Sequence, residues 1–212
     1  MGYTVIAPLG DNPNALFIGM REFPTKKVIL ITPKKRLKEA QKIEKKLKPF
    51  GVAVVVQEIN QGLMDSMFAH IGDICSNHDQ ENLIVNVATG DRLSTCAALS
   101  AAFANGLKAF GVMNGEPVML PIMHLSYYDS LTKSKKKIIE ALEEGVYTPL
   151  SELAKILKMS PSLLSYHIHG TLKNKGLESL RLVCIKNETK QISVKRTKLA
   201  SLLLKGYINQ KN

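Results

Sequence analysis

The stretch from Leu83 to Ala102 constrains this chain more than any other. It runs from Leu83 to Val87 as an apolar, β-branched segment and breaks at Ala88-Thr89-Gly90-Asp91. It resumes from Arg92 as an alanine-rich helical pattern. A buried strand that passes through a small-residue turn into a helix is half of a β-α-β unit. Such a turn leaves backbone N–H groups at the first helical residues, where the helix dipole adds partial positive charge. That combination suits an anion, most often a phosphate.

The same alternation recurs through the first 126 residues. Strands are expected over 4–8, 27–32, 52–56, 83–87, 109–113 and 118–123. Helices are expected over 13–22 and 33–48, in the apolar pattern from Leu63 to Ile74, and over 92–105. Asn12 before Pro13 reads as a helix N-cap with proline at the first helical position. Asn114-Gly115 reads as a tight hairpin turn. The fold class expected is therefore α/β, a Rossmann-like, doubly wound, mostly parallel sheet. Ligands of such sheets sit beyond the carboxyl ends of the strands, where the strand order reverses. Two turns qualify, Leu9-Gly10-Asp11-Asn12 and Ala88-Thr89-Gly90-Asp91-Arg92, with Ser94 in the first helical turn after the second. These residues form the candidate ligand site.

Charge divides the chain. Residues 1–130 carry a net +1 and residues 131–212 a net +10, out of +11 in all. A strongly basic segment behind a near-neutral one points to a nucleic-acid-binding module. Within the first segment, 34–48 holds eight Lys and Arg against two Glu and reads as a solvated outer face. A ligand at the two turns would then depend on backbone N–H groups, with Arg92 or Arg21 as local cations. No G-x-G-x-x-G follows the first strand and no Walker lysine is present, so no catalytic cofactor is expected. Ser94, Thr95 and Asp91 have no histidine partner, and polar residues at a helix start are usually caps. No catalytic residue is therefore assigned. His70 and His78, eight apart with Asp73 between, have no third ligand at helical spacing, and three distant cysteines fit neither a disulfide framework nor a zinc cluster, so no metal is expected. No run reaches membrane-span length and the amino terminus has no signal-peptide flank, so a cytoplasmic protein without a membrane partner is expected.

After a polar linker over 127–134, the segment 135–212 reads as helix, helix, turn, helix, two-stranded wing, helix. The helices are expected over 135–145, from Thr148-Pro149-Leu150 onward, from Ser160-Pro161-Ser162 to Lys175-Gly176, and over 197–207. The strands fall at 180–185 and 191–194. This is the order of a winged helix-turn-helix, and the phrase from Leu150 to Ile168 resembles that of archaeal and bacterial winged-helix regulators. Such modules place the third helix in the major groove and rest the wing on the backbone. Ser160, Ser162, Ser165, Tyr166 and His169 are the candidate DNA contacts on the third helix. Lys173, Lys186, Lys190 and Arg196 are assigned to phosphates. Leu164, Ile168 and Leu172 repeat every four residues on the buried face. Gly170-Thr171 makes the pattern one residue longer than usual and could bulge the helix. His167 is expected to be packed or paired.

Taken together, Leu9-Gly-Asp-Asn12 and Asn86-Val-Ala-Thr-Gly-Asp-Arg92 resemble the two ligand motifs of the CARF family, the CRISPR-associated Rossmann-fold regulators with a C-terminal winged helix. The resemblance implies a CRISPR-linked, antiviral-defence regulator. Its first domain (1–126) forms a homodimer and binds a cyclic oligoadenylate across the two-fold, and its second (135–212) binds double-stranded DNA. Two alternatives stay open: a ring nuclease that degrades the cyclic nucleotide, with Asp91, Ser94 and Thr95 orienting the attack, and a DNA-binding protein whose first domain only dimerises.

Overall fold

The apolar runs of the first 126 residues become six strands of one sheet. They are β1 (Tyr3–Pro8), β2 (Thr25–Pro33), β3 (Ala53–Ile59), β4 (Leu83–Asn86), β5 (Lys108–Met113) and β6 (Glu116–Leu120). The computed structural model describes residues 2–60, 62–121, 131–172, 174–188 and 191–207. By internal contacts the chain divides into two units, Met1–Ser126 with Lys205–Asn212, and Tyr127–Leu204.

In the first unit the strand order is β3-β2-β1-β4-β5-β6. Every pairing is parallel except β5 with β6, which turns through Asn114 (φ 54°) and Gly115 (φ 81°). Two successive positive φ values are what an Asn-Gly hairpin turn requires. Helices α1 (Ala15–Glu22), α2 (Leu37–Leu47), α3 (Leu63–Asn77) and α4 (Arg92–Ala104) make the crossovers. Val5, Ala7 and Leu9 of the first strand and its turn pack with Leu16 of α1 and with Ala40, Ile43 and Leu47 of α2. On α4, Ala97, Ala98, Ala101 and Ala102 are fully buried, and their small side chains admit the helix close to its neighbours. The Rossmann-like fold expected from the strand–helix alternation is present. Its functional consequence lies in the parallel pairing of β1 with β4, Ile6 opposite Val85. The chain leaves these adjacent strands toward opposite ends of the sheet, which sets the two following turns side by side.

The second unit contains α5 (Lys133–Ala141), β7 (Thr148–Pro149), α6 (Leu150–Leu157), α7 (Pro161–His169), β8 (Val183–Glu188), β9 (Gln191–Arg196) and α8 (Lys198–Tyr207) up to Leu204, with a three-stranded sheet of order β7-β9-β8. Ile138, Ile139, Leu153, Leu164, Ile168, Leu182 and Val194 are buried. This is a winged helix-turn-helix.

Several boundaries differ from expectation. Helix α1 begins at Ala15, and Asn12 caps nothing: its carbonyl accepts the Ala15 N–H at 3.2 Å in a tight turn. Helix α5 ends at Ala141, before Gly145, because Leu142 is extended. It also starts at Lys133, capped by Thr132, inside the stretch read as linker; residues 127–130 of that stretch lie outside the described residues. The largest difference is at the third helix. Instead of bulging and running on to Lys175, α7 stops at His169. Gly170 takes φ 79° and packs against Gly176, where an added β-carbon would come within 2.3 Å of the Gly176 nitrogen. Leu172 therefore lies in a loop and is fully exposed, although its four-residue spacing predicted a buried position.

Candidate functional site

The two turns at the strand-order switch are joined through backbone. The Thr89 carbonyl accepts the Gly10 N–H at 3.0 Å and the Asn12 N–H at 3.3 Å. Gly10 lies so close to the second turn that an added β-carbon would fall 2.1 Å from the Asp91 nitrogen. Asn86, fully buried at the end of β4, braces the junction. Its amide donates to the Ala15 carbonyl at 3.1 Å and its side-chain oxygen accepts the Ala88 N–H at 3.0 Å. Thr95 Oγ1 donates back to the Val87 carbonyl at 2.8 Å.

The residues assigned to this site take different parts. Asp11, Asn12 and Arg92 are exposed, Ala88, Gly90 and Asp91 are half-buried, and Gly10, Thr89 and Ser94 are buried. Leu9 is buried in the sheet core and so contributes backbone only; burying a leucine is worth about 1.5–3 kcal/mol, more than a surface contact would return. Asp91 is the N-cap of α4. Its carboxylate accepts the Ser94 N–H at 2.9 Å. That bond, followed by others from the Ser94 side chain and the Leu93 N–H and by the Arg36 charge, holds its pKa below the ordinary carboxylate value against an opposing effect of burial. Donors expected to be free for an anion are thus already engaged by Asp91, because a carboxylate satisfies the first turn of a helix as well as an external phosphate does.

The cation bonded to the first turn is Arg36, in a stretch whose composition predicts a solvated outer face. Its Nη1 donates to the Gly10 carbonyl at 2.7 Å and to Glu39 at 3.1 Å, and its Nη2 to Asp11 at 2.8 Å. The turn after β2 carries it there. Arg21, by contrast, falls in the last turn of α1, at the opposite end of that helix from the two turns, and Arg92 is exposed. The only available signal was position: Arg36 follows the strand next to β1, at the same sheet edge.

In the second unit, Ser160 caps α7 by accepting the Leu163 N–H at 3.2 Å. Ser160, Ser162, Tyr166 and His169 are exposed, and Ser165 is half-buried. The Tyr166 hydroxyl accepts from the Asn174 amide at 2.9 Å, and His169 Nδ1 lies 3.0 Å from Glu178 Oε2. Lys186 is exposed on the wing, 6.0 Å from the Tyr147 ring centre. Arg196 is turned inward rather than toward a phosphate: its Nη1 donates to the Ile139 carbonyl at 3.3 Å and its backbone N–H to the Glu143 carbonyl at 3.2 Å. Lys173 and Lys190 lie outside the described residues. His167 is packed, in edge contact with Tyr166.

Among the described residues, no cluster of three or more His, Cys, Asp or Glu could hold a metal ion. None of the described helices is long and apolar enough to cross a membrane. His70 and His78 are engaged with backbone carbonyls of Glu58 and Ile74. Cys96 and Cys184 are exposed and free, and burial pushes the Cys75 thiol up to about 12.

Comparison with curated proteins gives no match. Among solved structures, the chain resembles Can2 from Sulfobacillus thermosulfidooxidans in complex with cyclic tetra-adenylate, at 14% identity and a TM-score of 0.47, covering 96% of this chain and 61% of that one. It also resembles protein VC1899 from Vibrio cholerae, at 10% identity and a TM-score of 0.46, covering 98% and 65%. The chain thus spans less than two thirds of the length of either. Residues 132–177 match the family described as bacterial regulatory protein, arsR family, so the second unit carries a regulator-type helix-turn-helix. Residues 4–116, more than half of the sequence, match the family described as "HFX_2341_N:-like, N-terminal", and the chain belongs to that family.

Proposed function

We propose that this protein is a ligand-responsive regulator of transcription that binds double-stranded DNA through its winged helix and senses a cyclic oligoadenylate at its two joined turns. The observation that carries this reading is the backbone junction of Gly10 and Asn12 with the Thr89 carbonyl. It turns two motifs distant in sequence into one surface, through bonds between residues 77 and 79 positions apart, in a chain that also carries an arsR-type helix-turn-helix. Asp11, Asn12, Arg36 and Arg92 line that surface with side chains able to read a nucleotide. In this reading the site is completed by a second copy of the chain, and the functional form is a homodimer. The ligand acts by binding one arrangement of the dimer better than another, which changes DNA affinity by the same coupling free energy. The engagement of Asp91, Ser94 and Thr95 in cap and turn bonds favours a sensor over a ring nuclease.

The test is incubation of the full chain with labelled cyclic tetra-adenylate. Retention of intact ligand, together with a dimer mass by light scattering, is expected. Linear products would make the protein a nuclease, and no retention would remove the ligand from the account.

A further inference from the structure

Inside the second unit, a cavity of about 380 Å³ opens between the first turn of α5 and the C-terminal half of α7. Ser134 and Lys135 of α5, Tyr166 and His167 of α7, and Asn174 and Lys175 of the following loop line it. Two of these side chains are unusual for the wall of an open cavity. Lys135 is only 8% exposed, and its ammonium donates to the Lys175 carbonyl at 2.6 Å. His167 is also 8% exposed, and its Nδ1 finds no hydrogen-bond partner among the described residues. A buried polar atom without a partner destabilises the fold unless something outside the fold satisfies it.

The chemistry of the described walls is one-sided. They offer an ammonium, an imidazole, a phenol, a primary amide and a serine hydroxyl at a helix N-terminus, and no carboxylate. The Tyr166 hydroxyl already accepts from Asn174, so its own proton is available to donate. The protein also sustains an electrostatic cost here. Burial lowers the pKa of Lys135, and burial with the neighbouring Lys135 charge lowers that of His167. An anion would relieve both, and tetrahedral phosphate suits several donors converging on a helix N-terminus.

We propose that this cavity is a phosphate-binding site within the winged helix, separate from the two-turn site of the first unit. The phosphate belongs either to the DNA backbone beside the groove that α7 enters or to a free phosphate or phosphate ester. Because α7 supplies one wall, an occupied site holds Tyr166 in place on the helix proposed to read DNA.

The experiment uses the full chain with carbon-13-labelled histidine. It is titrated with inorganic phosphate and, separately, with a DNA duplex. A saturating shift of the His167 ring resonance is expected, with His70 and His78 unmoved. Lys135→Met should abolish that shift. Asn174→Asp, at an exposed position that does not threaten the core, should weaken it at least tenfold and keeps the test valid if the buried substitution does not fold. A backbone phosphate is the source if Lys135→Met also lowers the slope of log affinity against log salt by about 0.9, the loss of one phosphate contact. A free phosphate is the source if the slope is unchanged while inorganic phosphate alone moves the resonance. The proposal is overturned if neither titrant gives a saturable shift of His167, or if the shift survives both substitutions.

Discussion

Gly10 and Asp91 meet backbone to backbone across the strand-order switch, with room for no β-carbon between them. Gly10→Ala should therefore force the two turns apart. Overpacking of this kind costs about 1–3 kcal/mol, and here the obstructing atoms are backbone, so a cost at the upper end is expected. Urea denaturation measures it. Retention of labelled cyclic tetra-adenylate should be lost even at temperatures where the variant is fully folded.

Asp91 contributes through its cap and its charge, and two substitutions separate them. Asp91→Ala should cost about 1 kcal/mol. Asp91→Asn keeps an oxygen to accept the Ser94 N–H and should cost less at neutral pH. Because the folded pKa of Asp91 is depressed, its contribution is present above the ordinary value of 3.8 and is lost as the pH falls below it. The wild type should lose stability across that window, and Asp91→Asn should flatten this part of the profile.

His167 predicts an acid limb for the winged helix. Its folded pKa lies below 6.5, so between 6.5 and the folded value the unfolded chain binds the proton and the folded one does not. Stability should fall as the pH drops through this range and be unaffected by His167 above it. His167→Gln should remove the dependence, measured as the melting temperature of the second unit between pH 7.5 and 5.

Gly170→Ala attacks the end of the recognition helix. The site combines φ 79° with an approach of 2.3 Å to the Gly176 backbone, so the substitution is both strained and obstructed. A loss of about 2–3 kcal/mol is expected.

Ser162→Ala combined with His169→Ala, both exposed on α7, should abolish preference for a cognate site more than it weakens binding to bulk DNA, because base contacts specify and phosphate contacts position. Equal loss on all sequences, measured by competition binding, would contradict their assignment to base reading.

The parallel strands were legible because a strand buried on both faces must be apolar, as 28–31 and 83–85 are. The helix-turn-helix was legible from the caps and spacing around Leu150, Ser160 and Pro161. Arg36 was not. Its local sequence is one of solvated lysines, and only the parallel pairing of β1 with β2 brings it to Gly10, 26 residues earlier. The end of α7 departs from its sequence pattern for the opposite reason: Leu172 continues the local period, but the fit of Gly170 against Gly176 stops the helix. Side-chain spacing reports which face a helix would bury; it carries little information about where a backbone approach will end it.

The single carbonyl of Thr89, accepting from both Gly10 and Asn12, has a mechanical consequence. Loops fastened to each other at the backbone and braced by Asn86 from below do not flex independently. A molecule pressing on either one loads both strands beneath it. In the proposed sensor, a bound ligand would be read out as a displacement of both strands together, in the way a clamp passes force to its frame, and the stiffness of that junction would set how much of the binding energy survives as signal.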